Sequence, residues 1–183
     1  MHTLSQRLYK TLCGVLILFA CMSCDDDDDD GNTGPDVTAQ DREFAVEASY
    51  SNLAEVSMGE LAQSKAVSDD VADFGEMMDT EHTMAWDELK EIADDLDIVI
   101  PDTVKAEDRL KAETLSAMEG AMFDSAYIAE QILAHEKAQE LFQGEINDGN
   151  HPSLKAYASS TLEHINAHLE RATEIRAENG WDM

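Results

Sequence analysis

Positive charge is scarce in this chain. Twelve lysines and arginines stand against 40 aspartates and glutamates, a formal net charge of −28. Such a field repels phosphate backbones and anionic headgroups and draws cations, so a nucleic-acid partner is excluded. Cysteine is confined as well. All three (Cys13, Cys21 and Cys24) fall within the first two dozen residues, so the rest of the chain has no disulfide, thiolate site or cysteine nucleophile. No Ser-x-x-Lys pattern or glycine-rich phosphate loop occurs. With only 3 prolines and 9 glycines, few breakers interrupt the length beyond residue 40.

The longest apolar run, Leu12 to Ala20, follows Arg7 and Lys10. It is too short for a stable bilayer span, and a basic start, short apolar centre and small residues describe an export signal. Leu18-Phe19-Ala20-Cys21-Met22-Ser23-Cys24 then resembles the bacterial lipobox. That resemblance implies a lipidated first mature residue, Cys24, with Cys21 as the alternative. Removing residues 1–23 deletes two basic residues and no acid, leaving about −30. Asp25 to Asp30 and the following Gly31-Asn32-Thr33-Gly34-Pro35 form a self-repelling spacer. An acidic run beside the lipidated cysteine also resembles the signal that sends some lipoproteins to the cell surface. The expected organisation is a signal peptide over 1–23, an acidic tether over 24–39, a folded domain over 40–178 and a tail over 179–183. The expected location is the cell envelope, lipid-anchored at the outer membrane on its periplasmic or outer face.

Apolar residues recur at helical spacing throughout the domain. The first long helix, near 40–65, carries Phe44, Ala48, Ser51, Glu55, Met58 and Ala62. The second starts at Ser68, an N-cap followed by Asp69 and Asp70 at the positive end of the dipole. Its stripe is Val71, Phe74, Met78, His82, Ala85, Leu89, Ile92 and Leu96. A weaker pattern over Thr103–Met118 lies in the long connection after Pro101. The third long helix, near 121–147, presents Phe123, Tyr127, Gln131, Ala134, Ala138 and Phe142. The fourth, 152–178, presents Leu154, Ala158, Leu162, Ile165, Leu169 and Ala172, and Gly180 closes it. The expected fold class is all-α: a ferritin-like four-helix bundle with one long crossover carrying a short extra helix.

Polar groups interrupt the stripes at one level. The helix midpoints fall near residues 53, 82, 134 and 165, close to Glu55, His82, His135 and the pair His164 and His168. Burying a carboxylate and several imidazoles without partners costs several kcal/mol, so they satisfy one another, hold water or coordinate a metal. Imidazole and carboxylate are ligands of zinc, iron and copper. Glu55, His82, His135 and His168 are the expected ligands, with Asp79, one turn before His82, and His164 in support. Tyr127, Glu130 and Gln131 are candidates to orient them. Met58 and Met78 flank the layer, where filling the core is their commoner role.

Several short segments together resemble the outer-membrane proteins of domain-of-unknown-function family 4142, in the ferritin-like superfamily. They are Asp41-Arg42-Glu43-Phe44, Leu53-Ala54-Glu55-Val56, Phe123-Asp124-Ser125-Ala126-Tyr127 and His135-Glu136, with His82 and His168. The likeness spans about residues 40–172 and implies an exported four-helix bundle with no established activity. Di-iron members of the superfamily carry paired Glu-x-x-His motifs. Here Thr161 and Ile165 stand three residues before the histidines of the last helix, and a single histidine-rich site fits better. Two readings remain at this stage. One is an envelope protein that binds a transition metal (zinc, iron or copper) for storage, scavenging or stress protection. The other is a non-catalytic structural or partner-binding protein with a metal-free polar midlayer. A redox enzyme would need a bound metal with open coordination positions.

Overall fold

The computed structural model describes residues 35–181. The expected signal peptide, both candidate lipidation sites and the aspartate run lie outside them. Five helices follow in order: α1 (Ala39–Lys65), α2 (Asp69–Asp95), α3 (Ala106–Ser116), α4 (Ala121–Asp148) and α5 (Pro152–Glu178). The long helices agree with the sequence expectation to within a residue or two. The crossover helix is shorter than the expected Thr103–Met118. It buries one side chain, Leu115, and the chain before it is extended, with Ser49 Oγ donating to the Pro101 carbonyl at 2.7 Å.

Helices α1 and α2 form one hairpin and α4 and α5 another; α1 packs also on α4, α2 on α5, and α3 on both α1 and α4. The crossover carries the chain back along the bundle, so α4 runs antiparallel to α1. This is the ferritin-like topology. Two aspartates tie the hairpins together at opposite ends. Asp41, in the first turn of α1, accepts from the backbone N–H groups of Asn150 (2.8 Å) and His151 (2.9 Å) in the α4–α5 turn. It also closes a capping box with Thr38. Asp124, in the first turn of α4, accepts from Val67 (3.2 Å) and Ser68 (3.0 Å) in the α1–α2 turn. Ser68 is the N-cap of α2, but its hydroxyl makes no capping bond; the caps at this end come from the other hairpin.

The two glycines Gly59 and Gly75 face each other where α1 meets α2. A Cβ on Gly59 would lie 2.5 Å from the Gly75 carbonyl oxygen and 2.7 Å from the Asp79 nitrogen, so the backbones approach more closely than any side chain permits. At the end of α5, Gly180 adopts φ 67°, and Trp181 N–H returns to the Arg176 carbonyl at 3.0 Å. The sequence places this stop correctly.

Apolar packing is divided into two clusters along the bundle. One holds Phe44, Leu89, Phe142, Leu154, Tyr157 and Ile165; the other holds Met58, Phe74, Met78, Phe123, Tyr127 and Ile175. On every long helix the change from one cluster to the other brackets a buried polar residue: Asn52 and Glu55 on α1, His82 on α2, His135 on α4 and His168 on α5, with Gln131 and Thr161 about one and two turns earlier on α4 and α5. The polar layer therefore crosses the bundle near its middle. Among the described residues no helix is long and apolar enough to cross a membrane.

Candidate metal centre

Each long helix brings its polar residue to this layer because the residue occupies a core-facing position. His82 falls four residues after Met78 and seven before Leu89 on α2, and all three are buried. His135 and His168 lie likewise on the buried faces of α4 and α5. One ring nitrogen from each of His82, His135 and His168 lies within 4.8 Å of the other two. The rings themselves meet at centroid separations of 5.3 to 5.7 Å.

The outer nitrogens determine what the inner ones can do. His82 Nδ1–H donates to Asn52 Oδ1 at 3.0 Å, and the Asn52 amide is oriented by donating from Nδ2 to the Tyr157 hydroxyl at 2.9 Å. His135 Nδ1–H donates to the Gln131 carbonyl at 2.9 Å. His168 Nε2–H donates to Glu81 Oε2 at 3.0 Å. A carbonyl and a carboxylate only accept, so each outer nitrogen carries the proton. In the neutral rings, His82 Nε2, His135 Nε2 and His168 Nδ1 are left with lone pairs.

These lone pairs have no donor between them. His135 Nε2 and His168 Nδ1 stand 3.3 Å apart, acceptor against acceptor, and His82 Nε2 is buried without a partner. A proton or a cation placed among them relieves the conflict. Protonation of His82 and of His168 is disfavoured. Burial, then the charges of His135, His168 and His164, pushes His82 well below the ordinary histidine value. Burial and His135 push His168 down to about 4, against the raising effect of Glu81. Neutral imidazoles with inward lone pairs and outer N–H groups fixed by oxygen acceptors are how proteins hold zinc, copper and iron.

The other expected ligands are placed differently. Glu55 is buried beside Gln131, outside the three-nitrogen cluster; its Oε2 and both polar atoms of the Gln131 side chain lack partners. Burial raises the Glu55 carboxyl, opposed by His135 and Gln131, and the same carboxylate adds to the effect of burial in raising Tyr127. Asp79 faces α1 instead, where Oδ2 accepts from Gln63 Nε2 at 3.1 Å. His164 is 66% exposed and donates from Nδ1 to Glu81 Oε2 at 3.0 Å. It meets the cluster through that shared carboxylate and lies with its ring 6.5 Å from that of His168.

Asn52 and Glu81 were not singled out from the sequence. Asn52 was visible, standing four after Ala48 and three before Glu55, on the buried line of α1. Glu81 was not: it is one of many acids on a polar helix face, and only the α2–α5 packing reveals that it meets His168.

The sequence model of the domain-of-unknown-function family DUF4142 matches residues 29–175. The chain belongs to this family. A search of curated proteins finds no match. Among solved structures, this chain resembles a DUF305 fragment from Deinococcus radiodurans, with a TM-score of 0.71 at 8% identity, covering 79% of this chain and 99% of that one. It also resembles a DUF305 protein from Streptomyces coelicolor proposed to be secreted, with a TM-score of 0.68 at 12% identity, covering 77% and 94%. At these identities the likeness is one of fold, and it agrees with the helical bundle described above.

Proposed function

We propose that this DUF4142 protein binds one transition-metal ion at His82, His135 and His168, and that it does so in the cell envelope. One observation carries the reading: three buried imidazoles, each fixed by an outer oxygen acceptor, bring their inner nitrogens within 4.8 Å of one another. The ligand set is purely nitrogen, which suits zinc, copper, iron or nickel and disfavours calcium and magnesium. Glu55, Asp79 and His164 act around the site rather than in it. One ion per chain suits buffering, scavenging or protection from free metal better than bulk storage. The strongly acidic surface would concentrate cations near the protein.

The envelope location rests on the export signal with its lipobox-like cysteines, supported by the secreted description of the Streptomyces structural relative. Lipidation falls on Cys24, or on Cys21. Incorporation of labelled palmitate that is lost in Cys24→Ala supports the anchor; an unlabelled wild-type protein removes it.

Elemental analysis of the protein purified without a histidine tag tests the metal reading. The expected result is near-stoichiometric metal, taken up natively or on adding zinc or copper, with a concentration-dependent rise in melting temperature. Both should disappear in His82→Ala and His168→Ala. A wild-type protein that neither retains metal nor gains stability from it favours the second reading. In that case the layer is a metal-free polar network, and the bundle serves as a structural or partner-binding element.

A further inference from the structure

Three large apolar side chains on α3 and α4 stand in solvent: Leu110 is 63% exposed, Met122 68% and Leu133 51%. On α4, Met122, Ala126, Ala129 and Leu133 succeed one another at spacings of four, three and four, the pattern of a seam packed against a second helix. At about 100° per residue this stripe lies opposite the buried line of Tyr127, Gln131 and His135. Helix α4 is therefore apolar on two sides, and the bundle core uses one. Helix α3 covers the second side in part. It buries Leu115 alone, and between it and α4 runs a groove of about 550 Å³. Leu110, Thr114 and Leu115 form one wall; Ala126, Ala129 and Leu133 form the other.

We infer that this groove docks a basic amphipathic helix of a partner protein, its apolar face on the α4 stripe and its lysines or arginines over the acidic rim. The stripe from Met122 to Leu133 is about 16 Å long at the helical rise. That length takes about three turns of a helix whose apolar anchors recur at spacings of three and four. Charge selects the occupant. Glu107 and Glu130 line the groove, and Lys111, the cation among its lining residues, is held by Asp108 at 3.4 Å and Glu130 at 2.8 Å. A second copy of this chain brings the same net charge of −28, and the chain's own Asp25 to Asp30 run is acidic too. Both are repelled, and a basic helix is attracted by the same field. The groove shares no residue with the histidine layer, so docking stands or falls apart from the metal reading.

Labelled synthetic peptides of about four helical turns test the docking by fluorescence anisotropy, in about 150 mM salt to screen distant charges. One peptide carries leucines at spacings of three and four with lysine elsewhere. A second has the same composition with its leucines scattered around the helix, and a third keeps the leucine stripe with glutamate in place of lysine. The first should bind saturably, one to one, and the other two at least about tenfold more weakly. Leu110→Asp and Leu133→Asp, at exposed positions, should each weaken the first peptide about tenfold although they add negative charge. Met84→Asp, equally exposed on α2, should leave it unchanged. Absence of binding overturns the inference. Equal binding of the scattered peptide also overturns it, leaving attraction to an acidic surface alone, and equal binding of the glutamate peptide overturns the choice of a basic partner. Binding that survives both groove substitutions places the peptide elsewhere and overturns the site. A chain that sediments as a dimer, and as a monomer in Leu133→Asp, makes a second copy the occupant instead.

Discussion

Glu145 gives the clearest quantitative test of how this bundle handles buried charge. It lies on α4, fully buried, and neither carboxyl oxygen finds a donor. Gly149 lies so close that an added Cβ would sit 2.3 Å from Oε1. Asp41 neighbours it and already accepts from Thr38, Asn150 and His151. Burial raises the Asp41 carboxyl, but those donors outweigh it and hold the group far below the ordinary carboxylate range. Two acceptors again face each other, and here a proton resolves the conflict. Burial and then Asp41 raise Glu145 from 4.5 to about 7. The folded state thus keeps a proton between pH 4.5 and 7 that the unfolded chain releases. Stability from this group is present in full below pH 4.5 and is lost as pH rises through 7. At about 1.4 kcal/mol per unit, the loss approaches about 3 kcal/mol as a ceiling. In Glu145→Gln the amide donates to Asp41 at every pH. The variant should match the wild type near pH 4.5 and exceed it by up to about 3 kcal/mol at pH 8. Urea titrations followed by Trp86 fluorescence would read this as a midpoint shift of about 2 M. A difference that stays flat between pH 4.5 and 8 refutes the titration. A variant less stable than wild type at pH 8 refutes the shared proton.

Three further outcomes are expected. Asp124→Ala leaves the Val67 and Ser68 N–H groups without their acceptor and should cost about 2–4 kcal/mol, with faster hydrogen exchange at those two amides. Gly59→Ala should destabilise by about 1–3 kcal/mol because the methyl meets the backbone of α2, whereas Gly144→Ala, with open space around its Cβ, should stabilise by about 1 kcal/mol through helix propensity; thermal unfolding of both variants separates packing from propensity. In the metal-free protein the His168 ring should stay unprotonated until the pH falls to about 4, read by an NMR titration; a midpoint at the ordinary histidine value near 6.5 would contradict its buried setting.

The fold was legible because its signals are local. Pro101, Gly149 with Pro152, and Gly180 mark helix ends, while Gly59, Gly75 and Gly144 stand inside stripes that keep one period, so the helix ends and the long crossover could be read directly. The polar layer was legible because equal-length helices in a bundle share a midpoint, which put His82, His135 and His168 at one height. Rotation about each helix axis was harder to judge. Asp79 precedes His82 by three residues, yet it turns to Gln63 on α1. Glu55 shares the height of the histidines but lies beside Gln131, outside the three-nitrogen cluster. Which residue orients each imidazole depends on contacts between helices far apart in sequence. The bond from His168 to Glu81 spans 87 positions, and no periodicity within α2 predicts it.

The three histidines proposed as ligands are divided between the hairpins, and on that proposal the division links metal binding to folding. His82 comes from the α1–α2 hairpin, and His135 and His168 come from the α4–α5 hairpin. Neither hairpin alone assembles the three nitrogens, so an ion bound to all three joins them across the middle of the bundle. Asp41 and Asp124 already join them at the two ends, each reaching from the first turn of one hairpin to the turn of the other. With both ends fixed, the centre can carry acceptors that oppose one another without the hairpins separating to hydrate them. The histidine layer therefore has its geometry imposed from outside itself, and a cation bound as proposed would relieve the opposition of its lone pairs. On this reasoning Asp124→Ala should weaken metal affinity as well as stability, although Asp124 is not among the metal-facing residues; unchanged affinity in a folded variant would show that the layer holds its own geometry.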